Sequence, residues 1–149
     1  MSAKLHLAKP EDLDRLLPLV AGFYDQSGIE QSDDARYAAL RPLLDGLPHG
    51  AVYLIGPRRA PVGYLVISFG YSLELGGIYG TLDQFYIRRA VRGRGMGREA
   101  LSALLRTMTQ AGLVAVHLET DREERLGDKL YKPLGFTARP HARLMTRIL

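Results

Sequence analysis

The chain of 149 residues contains no cysteine. A disulfide framework, a thiolate metal site and a cysteine nucleophile are therefore all excluded. The four histidines, His6, His49, His117 and His141, are scattered with no pair at helical ligand spacing, so no metal centre is expected. No apolar stretch approaches the roughly 20 residues of a membrane span. The start, "MSAKLHLAKPEDLDRLL", also lacks the continuous apolar segment of a signal peptide. A cytoplasmic protein with no membrane partner is the resulting expectation. Neither sign of charge dominates, since 20 Lys+Arg against 16 Asp+Glu leave a net charge of +4. That balance is too modest to argue for a nucleic-acid partner by itself. Repeats, low-complexity tracts and Ser/Gly-rich linkers are missing as well, so a single domain over residues 1–149 is expected.

What is present is the mixture of a globular protein, with 46% apolar and 24% charged residues. "KLHLAK" alternates like a short strand. Leu13, Leu16, Leu17 and Val20 then recur at helical spacing, with Pro18 expected to bend that helix or lie on its outer face. Ser32 reads as the N-cap of a second helix using Tyr37, Leu40 and Leu44. "GAVYLIG", "PVGYLVISFGYSLEL" and "GGIYGTLDQFYI" read as a meander of antiparallel strands. Leu101, Leu104, Leu105 and Met108 mark an amphipathic helix ending at Gly112, and "LVAVHLE" is the strand after it. A last helix is expected from about Glu123 to Lys132, followed by a closing strand at "ARLMTRIL". The fold class is α+β, with a mixed, mostly antiparallel sheet of six or seven strands, one parallel crossover unit and about four flanking helices.

The densest feature is "AVRGRGMGREAL", where Arg92–Arg98 holds three glycines and three arginines at the mouth of a helix. No Lys-Ser or Lys-Thr follows, which excludes a phosphate loop of the Walker type. As a dinucleotide fingerprint it fails at Arg98, where close helix–strand packing asks for Gly or Ala. A nucleic-acid surface uses the arginines, but the helix that follows carries little charge beyond its first turn. Read from Arg92, the pattern is Arg-x-x-Gly-x-Gly, which lets backbone N–H groups converge on a pyrophosphate at a helix N-terminus. A tight solvated turn accounts for the arginines but not for three glycines, each of which costs backbone entropy.

This stretch resembles the acetyl-CoA signature of the GNAT N-acetyltransferase superfamily. "DKLYKPLGF" is similar to the family's C-terminal element, with Leu130, Tyr131, Gly135 and Phe136 in register, and Gly70 to Gly97 looks like its central hairpin and cofactor motif. Two departures stand out, Glu124 in place of a frequent Asn and Gln84 in place of a frequent Glu. The resemblance implies acetyl-CoA as acetyl donor, no metal, and transfer to a primary amine of a small molecule or peptide by direct attack on the thioester. It places cofactor contacts at Phe85, Tyr86 and Ile87 on the strand and at Arg92, Gly93, Arg94, Gly95, Met96, Gly97 and Arg98 in the loop. Dimers are common among similar proteins, so a homodimer is a compatible arrangement. A catalytically silent CoA-binding sensor and a basic nucleic-acid binder are the competing classes.

Acyl transfer to an amine needs a base, an oxyanion donor and a proton for the departing thiolate. The resemblance points to a backbone N–H near Phe85 for the oxyanion and to Tyr131 as general acid. By helical geometry Tyr131 lies about 100° round from Leu130, off the stripe that Leu126 and Leu130 define. Asp83 is the candidate base, sharing a face with Phe85 and Ile87 if strand alternation is regular. A strand aspartate there could equally bind a backbone group or an arginine; Glu119 and a water relay are the other candidate bases. His117, in mid-strand, reads as structural. Asp25, Glu30, Asp33, Asp34 and Glu74 make the expected acceptor side acidic, suiting a cationic amine.

Overall fold

The computed structural model describes residues 2–120 and 125–149. Residues up to Glu119 form one compact unit, and Thr120–Leu149 form a second. In the first unit five strands follow one another across a single sheet in chain order. They are β1 (Leu5–Leu7), β2 (Gly50–Ile55), β3 (Gly63–Ser72), β4 (Gly77–Ile87) and β5 (Ala115–Leu118). The first three junctions are antiparallel and β4–β5 is parallel, the β4–β5 connection crossing over through a single α-helix. The sheet is thus mixed as expected, but it has five strands among the described residues rather than six or seven. "ARLMTRIL" forms no strand: Leu144, Met145 and Ile148 are largely exposed, and no partner strand pairs with them among the described residues. Apolar alternation without a partner edge leaves the backbone polar groups to water.

Helix α1 (Leu13–Ser27) buries Leu13, Leu16, Leu19 and Val20 and runs unbroken through Pro18, which faces solvent. It stops at Gly28, whose φ of 67° lets the next amide, that of Ile29, reach back to the Tyr24 carbonyl at 2.9 Å. Helix α2 (Asp33–Leu44) is capped as expected, the Ser32 hydroxyl accepting from the Ala35 amide at 3.1 Å. Tyr37, expected on its buried face, is exposed, and the helix is anchored by Leu40 and Leu44. Both helices pack on the sheet face that carries Val52, Leu54, Tyr64 and Val66. The opposite face, with Ile55, Leu65 and Ile67, belongs to α3 (Met96–Gln110), which buries Ala100, Leu101, Leu104 and Met108. Leu105 lies at the rim of that stripe.

The second unit contains α4 (Arg125–Tyr131) and a 3-10 turn, Lys132–Leu134, closed by Gly135 at φ 93°. Glu123 and Glu124, expected at the start of this helix, lie outside the described residues, as does the side chain of Leu126.

Candidate active site

The decisive irregularity is in β4. Val66 pairs with Gln84 and Ile67 with Leu82, so Asp83 is an extra residue opposite no partner, a β-bulge. Cross-strand partners share a face. Leu82 and Phe85, whose partners are Ile67 and Leu65, therefore point toward the α3 side, while Gln84 and Tyr86 point toward α1. Regular alternation would put Asp83 with Phe85 and Ile87; the bulge leaves it with no cross-strand partner to fix its face. Its exposed carboxylate is near enough to the α1-side cluster to raise the Tyr64 phenol, whose largest influence is burial.

The parallel partner also ends here. β5 pairs with Tyr79–Leu82 only, whereas β4 continues beside β3 to Ile87. From Asp83 onward the outer edge of β4 has no strand partner among the described residues. The Arg88 amide donates to the Val62 carbonyl at 2.8 Å, which makes Gly63–Ile87 a non-hydrogen-bonded pair. The main-chain groups of Phe85 and Ile87 therefore face outward along this edge. An extended ligand can pair there as an added strand does.

The edge leads directly into the glycine loop. Gly93 and Gly95 both adopt φ 77°, and a β-carbon at either would meet nothing within 4 Å, so they are required by backbone conformation and leave the adjacent space open. Gly95 caps α3 without a side-chain hydrogen bond, leaving first-turn amides available to an anion. Met96 is buried, which commits its side chain to the core and leaves only its backbone for a ligand. Arg88, Arg89, Arg94 and Arg98 are exposed and form no ion pair among the described residues. Arg92 behaves differently. Its Nε donates to the Ile87 carbonyl at 2.7 Å, its guanidinium bonds Gln26 on α1, and it lies 5.5 Å from the Tyr86 ring centre. Arg92 thus staples the end of β4 to α1.

Facing the bulge, Phe23, Tyr24, Tyr64 and Tyr86 form an aromatic cluster with ring separations of 5.8 to 6.4 Å. Gly22 is what admits Tyr86, since a β-carbon on Gly22 would stand 2.5 Å from the Tyr86 hydroxyl. Gln84 joins two of these tyrosines, accepting from the Tyr64 hydroxyl at 2.8 Å and donating to Tyr24 at 3.0 Å. Sequence reasoning set Gln84 aside as a failed base and did not find Tyr24 or Tyr64; hydrogen bonds across 20 and 60 residues leave no local signal. Beside the cluster, a cleft of about 810 Å³ runs along α1 and the loop to α2, lined by Gly22, Asp25, Glu30, Gln31 and Arg36 among others. The Gln31 Oε1 atom in that lining is buried with no hydrogen-bond partner among the described residues. Of the other expected acidic residues, Asp33 bonds Arg36, while Asp34 and Glu74 are exposed. His117 is half-buried, its ring edge-on to Tyr79 at 5.1 Å, and Glu119 is exposed just beyond β5. In the second unit, Tyr131 packs edge-on against Phe136 at 5.9 Å and lies against Gly127.

The sequence profile of the Acetyltransferase (GNAT) family matches residues 14–136. The chain belongs to this family. Among solved structures, an integron cassette protein from the mobile metagenome of Cole Harbour Salt Marsh is 30% identical, with 97% of this chain and 90% of that one covered and a TM-score of 0.83. Ribosomal-protein-alanine N-acetyltransferase from Brucella melitensis biovar Abortus 2308 superposes with a TM-score of 0.77 at 19% identity, over 97% of this chain and 99% of that one. AAC(6')-Iy, solved with the bisubstrate analog CoA-S-monomethyl-acetylneamine, gives a TM-score of 0.81 at 17% identity over 100% of both chains. The last two likenesses establish the fold of this GNAT acetyltransferase. No curated protein sequence matches the chain.

Proposed function

We propose that residues 1–149 act as one acetyltransferase domain that moves an acetyl group from acetyl-CoA to a primary amine of a small molecule or peptide by direct attack on the thioester. The observation that carries this reading is the continuity of the β4 edge beyond Leu82, which has no strand partner among the described residues and turns the Phe85 amide outward, with a positive-φ glycine loop opening α3. A pantetheine arm and a pyrophosphate are joined in that order and ask for those two surfaces in succession. Acetyl-CoA supplies the activated thioester. The Phe85 amide then faces the oxygen on which negative charge develops. Arg88, Arg89, Arg94 and Arg98 offer counter-charge to phosphates. Asp83 takes the proton of the incoming amine directly or through one water, with Glu119 as the alternative base. Asp25, Glu30 and Gln31 Oε1, which has no partner among the described residues, favour a cationic, hydrogen-bond-donating acceptor in the cleft.

Thermal shift separates this reading from its competitors. Acetyl-CoA at about 100 times its Kd stabilises the protein by about 2.7 kcal/mol, a Tm rise of about 5 to 10 °C for a chain of this size. NAD and short duplex DNA give none, and the reverse order sinks the proposal. Thiol release from acetyl-CoA across an amine panel then distinguishes an enzyme from a silent CoA-binding sensor.

Gly95→Ala tests the loop. An L-residue at φ 77° is strained by about 1 to 2 kcal/mol, so the loop relaxes away from this conformation and the Kd for acetyl-CoA rises about tenfold. An unchanged Kd in calorimetry would show that the conformation is not used for binding.

A further inference from the structure

The hydrogen-bond chain around Gln84 has a fixed direction. Tyr64 is fully buried, and burial pushes its phenol far above the ordinary range, so the hydroxyl remains a donor. Its hydrogen has one acceptor among the described residues, Oε1 of Gln84 at 2.8 Å. With the amide turned round, Tyr64 would face an N–H group and bury its own hydrogen unpaired, an arrangement native cores avoid. Gln84 Nε2 must therefore point away from Tyr64, and it donates to the Tyr24 oxygen at 3.0 Å. Tyr24 is held against Phe23 at 5.8 Å and under the Arg36 guanidinium at 5.8 Å, neither of which offers an acceptor. Among the described residues the Tyr24 hydrogen has no acceptor, and it is half-exposed on the α1 face, one hydrogen bond from the bulge at Asp83.

We propose that Tyr24 is a specificity-determining donor, and that the acceptor amine carries, close to its nitrogen, an oxygen that takes this hydrogen bond. The inference rests on the acetyl-transfer reading and names the substrate class of that site: amines flanked by a hydroxyl, ether or carbonyl oxygen. The ammonium groups of a plain alkyl polyamine, protonated at neutral pH, present only N–H donors, and Tyr24, already accepting from Gln84, is poorly placed to receive them. The same logic gives a reason for glutamine at position 84. A carboxylate has no hydrogen to give, so both tyrosines would donate to it and the Tyr24 hydrogen would turn inward.

The test compares wild type, Tyr24→Phe and Gln84→Glu on a simple alkylamine, its 2-hydroxy counterpart and the corresponding α-amino amide. Thiol release and calorimetric binding are both measured, and circular dichroism confirms the fold of each variant. Wild type favours at least one oxygen-bearing amine by about tenfold, the usual scale of one neutral hydrogen bond, and which one identifies the hydroxyl or the carbonyl as the source. Tyr24→Phe abolishes the preference by removing the donor; Gln84→Glu abolishes it with the Tyr24 hydroxyl still present. Equal losses on all three amines in both variants mean a packing role only and overturn the proposal, as does a wild type without preference. Thiol release without preference defeats the inference alone. An oxygen preference in binding with no release from any amine defeats the acetyl-transfer reading and leaves the donor assignment standing.

Discussion

Replacing Tyr131 with phenylalanine lowers kcat for acetyl transfer by about a hundredfold or more, the lower range for a positioned general acid, while the Kd for acetyl-CoA stays within about threefold. The reason is the proton inventory. Attack by the amine expels a thiolate, and an aliphatic thiol, with a pKa near 8 to 9, leaves faster when it is protonated as it departs. A phenol is a competent donor and, once ionised, is restored from solvent. Tyr131 sits at the last position of α4, and its ring packs edge-on with Phe136 at 5.9 Å. Phenylalanine reproduces that aromatic contact, and circular dichroism checks that the variant keeps the fold. A tyrosine that served packing alone would leave kcat unchanged in steady-state thiol release. Catalysis lost together with cofactor affinity would instead mean that the loop or the helix had moved.

How far the chain could be read in advance divides along the range of the interactions. Elements whose signals are local were legible. Ser32 announces α2 because a cap acts within three residues, and the stripe Leu101, Leu104, Met108 announces α3 because burial follows the helix period. The glycine loop was legible because positive φ demands glycine and Gly93 and Gly95 supply it. The bulge at Asp83 was not. "TLDQFYI" reads as a strand from its aromatic and β-branched residues alone, and the extra residue is defined only relative to the register of β3. That one shift leaves the candidate base without a cross-strand partner and puts Gln84 and Tyr86 on the α1 side, opposite to Leu82. Arg92 shows the converse limit. Composition offers every arginine of the loop to phosphates and says nothing of the contacts that hold Arg92 to the Ile87 carbonyl, Gln26 and Tyr86. The segment "ARLMTRIL" shows a third, because alternation describes what a strand could bury and says nothing of whether an edge is there to receive it.

Asp12→Ala lowers the stability of the protein by about 3 kcal/mol, the order expected when one partner of a buried ion pair is removed, and Tm by about 6 to 12 °C. Asp12 is 0% exposed, the one charged residue in the core among the described residues. Its carboxylate accepts from Arg15 at 2.7 Å, from Arg58 at 2.6 Å and from the Lys9 amide at 2.8 Å, so it ties the entry of α1 to the β2–β3 connection. It also stands at the positive end of α1, where the helix dipole favours an anion. The side chains of Arg15 and Arg58 are 38% and 33% exposed, which lets both rehydrate after the substitution and keeps the loss near the lower end of the range for buried pairs. Asp12→Asn preserves the shape and the Lys9 bond but not the charge, and it loses about half as much. Chemical denaturation measures both variants. A double-mutant cycle with Arg58→Ala isolates the long-range pair, and additive losses would mean that the two groups meet without stabilising each other. α1 carries Gly22 and Tyr24 at its far end. A helix fixed by Asp12 is therefore also what holds the Tyr24 hydroxyl against Gln84, and Asp12→Ala is expected to weaken amine discrimination below its Tm before it abolishes thiol release.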